Sequence, residues 1–220
     1  MSTITQYGTL NTASLVVPDL YIQIESTAAT SLSGAQSNII GVVGTASWGA
    51  KNTPITFGSS AERIGYFGPM QDSVYDLATI VSTSILQGAS NFIGVRVTDG
   101  TDTYSSYTIN TTTDSQENTV TISSKYTGTY GNNITLQFSN GSAANSIKAT
   151  VQIPSLLPEF FDNIATNGSN GQFWKNFSAA INNGLSSTRG PSQIITVQLG
   201  NEPTVAPTLN TIITLSGGTD

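Results

Sequence analysis

The spacing of apolar and polar positions changes character along this 220-residue chain. Leu20-Tyr21-Ile22-Gln23-Ile24-Glu25 alternates strictly, the pattern of a strand with one buried face. The stretches 38–44 and 91–97 are instead nearly continuous apolar runs, as in strands covered on both faces. Two helical signals lie between them. Ser59-Ser60-Ala61-Glu62 has capping-box spacing and opens a short helix that should end near Gly65 or Gly68. Asp72 opens a longer helix over 72–87, with Val74, Leu77, Ala78, Val81 and Ile85 on one face and Gly88 at the C-terminal position. Strand, helix and buried strand in this order predict a right-handed parallel crossover.

The rhythm shortens after Asp99-Gly100. Strands are expected at 104–110, 118–124, 133–139 and 146–153, separated by turn formers, with Asn140-Gly141 marking a hairpin. One amphipathic helix follows at 171–183, carrying Phe173, Phe177, Ala180 and Ile181 on its face and Gly184 behind it, and strands near 193–199 and 211–215 close the chain. The fold class is therefore mixed: a partial parallel α/β domain over 20–98, built on strands 20–25, 38–44 and 91–97, plus an α+β, β-rich domain over 99–215 inserted after it, with 216–220 returning to the first. Residues 1–19 form an extended arm, with Ile4, Leu10, Leu15, Val16 and Val17 as its apolar contacts; by itself it cannot make a sheet. A parallel unit of two or three strands cannot cover both faces of its own sheet, so 20–98 should lean on more polypeptide.

Composition narrows the chemistry. Charged residues make 9% of the chain, against about a quarter in ordinary domains. Ser, Thr and Asn supply 78 residues in their place, and the net charge is −6. With neither Cys nor His, thiol nucleophiles, disulfides, thiolate or imidazole zinc sites and imidazole-dependent triads are excluded. The seven cations (Lys51, Arg63, Arg96, Lys125, Lys148, Lys175, Arg189) are scattered singly, which argues against a nucleic-acid surface. No apolar run approaches the ~20 residues of a membrane span, and residues 1–6 lack a signal-peptide pattern, so a cytosolic origin is expected. The five Asn-x-Ser/Thr sequons, at Asn110, Asn133, Asn140, Asn167 and Asn176, follow from composition.

Individual motifs give little catalysis. Gly44-Thr45-Ala46-Ser47-Trp48-Gly49-Ala50-Lys51 nearly matches a phosphate-binding loop, but Ala50 is extra, Asn52 replaces the Ser or Thr, and Pro54 follows where a helix should begin. Asp99-Gly100-Thr101-Asp102 offers oxygen ligands without the rest of a calcium loop and reads as a turn between domains. Asp72 and Asp76, one turn apart on the expected helix, are explained by the helix dipole as well as by acid–base pairing. Glu159 and Asp162 flank Phe160-Phe161 as a polar edge round a buried aromatic pair, while Trp48 and Trp174 suit packing or an interface. Gly128-Thr129-Tyr130-Gly131-Asn132-Asn133 is a shaped turn with no catalytic reading.

Taken in order, several segments resemble the N-terminal half of contractile-tail sheath proteins of bacteriophages and related injection machines. They are Pro18 to Glu25 with Tyr21; Ile39 to Gly49, containing Gly41 and Gly44; Asn52 to Ile55 with Pro54; Ser59 to Gly68; and Ile85 to Asn91 with Gly88, leading to Arg96. Tyr126 to Asn132, with Gly128, Gly131 and Asn132, and Leu215 to Asp220, with Gly217 and Gly218, complete the set. Asp19 stands where the family usually has Gly, and Ala50 where it often has Pro. The resemblance implies a non-enzymatic subunit without cofactor, catalytic or metal residues. Such subunits form hexameric rings stacked around a tail tube and contract to drive the tube through the host envelope. Its implied partners are copies of itself, the tube protein, and baseplate and tail terminator proteins, with no nucleic acid and no membrane anchor. The arm would add strands to neighbours, and the insertion would face outward. The implied location is the virion tail, assembled in the host bacterial cytoplasm. The family continues into a C-terminal domain completing the α/β sheet, so a shortened or split gene product is expected. The reading from another class is a β-rich phage adhesin or carbohydrate-binding module, since scattered Tyr, Trp and Asn suit sugars and paired carboxylates suffice for glycosidase chemistry.

Overall fold

The computed structural model describes residues 39–110, 118–187, 189–201 and 204–220. The expected strand 20–25, the arm residues Ile4, Leu10, Leu15, Val16 and Val17, and Pro18 and Tyr21 lie outside them. Asn38–Asp220 forms one compact unit, and its buried apolar side chains gather into two clusters, one small and one large.

The small cluster belongs to an α/β lobe. Strands β1 (Ile40–Gly44) and β3 (Phe92–Arg96) pair in parallel as expected, with Val42 opposite Gly94. The run after Pro54 forms β2 (Ile55–Phe57), antiparallel to β3, giving the order β1-β3-β2. Helix α1 (Ser60–Phe67) starts at Ser59, whose Oγ accepts from Glu62 N, while Glu62 Oε2 accepts from Gly58 N at 2.7 Å, a variant of the expected capping box. It stops at Gly68, where φ is 79°. Phe67 from α1, and Leu77 and Val81 from α2 (Leu77–Leu86), meet Val42, Phe57 and Phe92 on one face of the sheet. Phe57 stacks on Phe92 at 5.4 Å and meets Phe67 edge-on. Gly94 leaves the room for both rings, because a Cβ there would come within 3.0 Å of each.

Two expectations change here. The long helix begins at Leu77 with Asp76 as its cap, its carboxylate accepting from Thr79 N at 3.0 Å and Thr79 Oγ1 at 2.9 Å, so Asp72 is a loop residue. The cause is backbone pairing. Thr45 N donates to Tyr75 O and Leu77 N to Thr45 O, which holds 75–77 extended beside β1 and leaves Val74 89% exposed. Nor are the apolar strands covered on both faces: Val43, on the face away from the helices, is 63% exposed.

The large cluster fills a β-rich lobe. One sheet has the order β10-β6-β7-β8, from β6 (Thr135–Asn140), β7 (Ser146–Gln152), β8 (Glu159–Ala165) and β10 (Ile212–Thr214). The other has β4-β5-β9, from β4 (Tyr104–Asn110), β5 (Asn118–Thr127) and β9 (Ile195–Leu199). Every named pairing in both is antiparallel. Helix α3 (Asn170–Asn183) presents Phe173, Trp174 and Phe177 to Phe138, with ring centroids 5.2–5.8 Å from it. Trp174 Nε1 donates to Val205 O at 2.7 Å, which satisfies its one polar group in the core.

β8 has no counterpart among the expected strands, and it corrects the aromatic pair. Burial alternates along it: Phe161 and Glu159 turn inward, whereas Phe160 is 51% exposed beneath the Lys148 ammonium, 4.9 Å from its ring centroid. Asp162 reaches across to the β6–β7 loop and accepts from Ser142 Oγ and from Ser142 N at 3.1 Å, which lowers its pKa. The hairpin at Asn140-Gly141 is present with a longer turn, since Asn140 still pairs with Ile147 and Gly141 N donates to Ser146 O at 2.9 Å. Among the described residues no helix is long and apolar enough to cross a membrane.

Candidate functional site: a junction between two lobes

The residues singled out from the sequence converge less on a cavity than on a seam. Arg96, at the end of β3, is fully buried. Its Nη1 donates to Gly49 O at 2.9 Å and to Thr127 O at 2.8 Å, so one guanidinium ties the loop after β1 to the end of β5. Asp102 faces it, with Oδ2 3.9 Å from Arg96 Nη2 and 3.1 Å from Lys51 Nζ. Burial pushes the Asp102 carboxyl up, but hydrogen bonds from Thr127, Lys51 and Thr98 and the Lys51 charge outweigh it, bringing its pKa down to about 2. Burial in turn lowers Arg96, against the fields of Asp102 and Asp220.

The turn at 128–133 packs against this pair. Its 3-10 segment Thr129–Asn133 begins with Tyr130 N donating to Ser47 O at 3.1 Å. Gly128 has φ of 123°, and a Cβ on it would collide with the Ser47 carbonyl, so only glycine fits between the lobes there. Trp48, expected to pack, is buried against Tyr126 and Tyr130 at centroid distances of 5.3 and 6.2 Å. It thus belongs to the β-rich core although its loop springs from the α/β sheet.

The terminal segment closes the seam. Asn132 Nδ2 donates to Gly218 O at 2.9 Å and Gly218 N returns to Asn132 Oδ1 at 2.8 Å. Ser105 Oγ donates to the same Oδ1 at 2.9 Å. Ser106 and Ser216 exchange backbone bonds, and Thr103 pairs with Thr219. Asp220 accepts from Thr129 N at 2.9 Å, from Thr129 Oγ1 and from Gln71 Nε2 at 2.6 Å, reaching from the β-rich lobe to the loop after α1.

Gly49, Gly68, Arg96, Gly128, Gly131, Asn132 and Gly218 therefore sit in or beside one junction. Gly44 lies against the Tyr75 and Leu77 backbone nearby. Gly41, Gly88 and Gly217 have open space around them, and Pro54 is an exposed residue before β2. The phosphate-loop likeness at 44–51 ends in the Lys51–Asp102 pair, with no helix behind it. The supposed calcium loop is a local turn in which Asp99 Oδ1 accepts from Thr101 N and Oγ1. No group of three or more Asp and Glu able to hold a metal occurs among the described residues.

Sequence reasoning missed the partners of three polar anchors, of two kinds. Asp220 and Asp102 find partners 91 and 51 residues away, a separation no local pattern encodes. Glu159 is the second kind: buried on β8, it accepts from Ser192 Oγ at 2.5 Å and Gln193 N at 2.9 Å, with Arg189 Nη2 3.4 Å away, and so fixes the loop entering β9. The i, i+2 spacing of Glu159 and Phe161, which puts both on one face of a strand, was the available signal.

Solved structures share this fold. A sheath tail protein from Listeria innocua superposes with a TM-score of 0.54 at 16% identity, over 83% of this chain and 34% of that one. The chain has the fold of a sheath tail protein. A second sheath tail protein, from Desulfitobacterium hafniense, gives 0.51 at 17% identity over 91% of this chain and 39% of the other. The chain thus spans well under half the length of either sheath tail neighbour. No family model matches the sequence, and no curated protein matches it.

Proposed function

We propose that this protein is a structural subunit of a phage tail sheath, polymerising with copies of itself as hexameric rings around the tail tube and contracting to drive the tube through the host envelope. The observation that carries the reading is the fold shared with two sheath tail proteins over 83% and 91% of the chain. Its partners are the tube protein and the baseplate and terminator proteins, and its place is the virion tail, assembled in the bacterial cytoplasm. Residues 20–98 serve as the lattice portion, 99–215 as an outward insertion, and 216–220 as the return. Ile4, Leu10, Leu15, Val16 and Val17 make strand contacts with neighbouring subunits by β-augmentation.

Two features support a mechanical role. The open face of β1, with Val43 exposed, is an apolar surface suited to cover by further polypeptide. The junction around Arg96 couples the lobes through buried polar contacts, as a subunit moving as a near-rigid body requires. For the adhesin reading, both tryptophans are buried and offer no free ring face for stacking on a sugar.

Immunogold labelling of virions tests the proposal: antibodies should decorate the outer cylinder of the tail, and decoration elsewhere overturns it. Deleting residues 1–17 should leave a folded protein that no longer joins a polymer. Unfolding on that deletion would make the arm part of the core instead.

A further inference from the structure

Four Asn-Gly pairs occur in the chain, at 140–141, 167–168, 170–171 and 183–184. Asn-Gly is the dipeptide most open to spontaneous deamidation, because glycine offers no side chain to hinder its own backbone nitrogen. That nitrogen attacks the Asn side-chain carbonyl carbon, ammonia leaves, and a five-membered succinimide forms. Water then opens the ring to aspartate or to isoaspartate. The step needs a glycine N–H that is free to deprotonate and a side chain free to turn.

The fold treats the four pairs differently. Gly141 N is held by Ser146 O at 2.9 Å inside the β6–β7 hairpin. Gly184 N is held by Ala180 O at 3.0 Å at the end of α3. Asn170 and Gly171 lie within α3, whose dihedral angles hold the side chain away from the next nitrogen, and Asn170 Nδ2 is further tied to Thr204 O at 2.9 Å. At 167–168 the situation is reversed. Asn167 and Gly168 are both exposed and both have positive φ, 45° and 75°. They form the two central residues of a turn closed by Ser169 N donating to Thr166 O at 3.1 Å. Gly168 N has no hydrogen-bond partner among the described residues.

We infer that Asn167 is a self-modification site, converting to aspartate and isoaspartate by attack of the Gly168 nitrogen, while the other three Asn-Gly pairs are protected by the fold. The location gives the change a structural effect. Ser169, the next residue but one, caps α3 by accepting from Gln172 N at 3.2 Å. Isoaspartate reroutes the main chain through the side-chain carbon and adds one methylene immediately before that cap. The helix whose Phe173, Trp174 and Phe177 fill the β-rich core then starts from a displaced turn.

Asn140-Gly141-Ser142 and Asn167-Gly168-Ser169 are identical triplets, which makes an internal control. The full chain, held at mildly alkaline pH and digested at intervals, would be followed by mass spectrometry with chromatographic separation of aspartate from isoaspartate. Asn167 should convert about tenfold faster than Asn140, the factor that one intact hydrogen bond places on the population of a freed amide. In urea, where both glycine amides are released, the two triplets should converge on one rate. Equal rates in the folded protein overturn the inference. So does a stable Asn167 in the folded state, or a rate difference that persists in urea.

Discussion

The α/β lobe and the β-rich lobe are built by opposite rules from one undercharged sequence. The β-rich lobe encloses an aromatic cluster: Phe138, Phe161, Phe173, Trp174 and Phe177 are all buried between two sheets and a helix. The α/β lobe covers one face of a three-stranded sheet and leaves the other open, so Val43 stays largely exposed. A self-contained core and a half-covered one are thus joined through Arg96, so the first is stable by its own packing while the second keeps an apolar face in contact with solvent.

That contrast can be broken most forcefully from inside. Phe138→Ala removes the ring at the centre of three edge-on contacts and should cost ~3–5 kcal/mol in urea unfolding. Arg96→Met tests the joint itself. It leaves the Gly49 and Thr127 carbonyls without their donor and Asp102 with Lys51 as its remaining cation, so a loss of about 3 kcal/mol is expected, and calorimetry should split one transition into two as the lobes uncouple. The same joint carries a pH signature. Asp102 has a lowered pKa, so its contribution is full above the ordinary carboxylate range near ~4 and fades as pH falls through about 2. In Lys51→Met, which removes one of those hydrogen bonds and the neighbouring charge, the acid limb of the stability profile should be shallower.

Asp76→Ala removes the α2 cap and should cost ~1 kcal/mol, lost from the α/β lobe alone. Val43→Thr is the smallest effect and the sharpest discriminator. On an open face it should shift monomer stability by less than ~0.5 kcal/mol, yet weaken polymer formation seen by sedimentation. A large stability loss would mean that face is not open.

How far the sequence speaks follows the same division. Strict alternation made β7 legible nearly to the residue, and the spacing of Phe173, Phe177, Ala180 and Ile181 did so for α3. β2 escaped because three residues after a proline carry no period, and β8 because Asp162 and Asn163 interrupt its alternation. The α2 start was misplaced because Val74 fits the helical face, while pairing of Thr45 with 75–77 decides the backbone. The junction glycines were visible as special turns. Their partners, such as Ser47 for Gly128 and Asn132 for Gly218, were fixed only when distant segments met.

The Thr103–Thr219 pairing places the path into the β-rich lobe beside the path out of it, their backbones bonded at 3.2 Å. Those rungs close the lobe at its base, so a pull applied at residues 103 and 219 meets the hydrogen bonds between them before it reaches the hundred-odd residues they enclose.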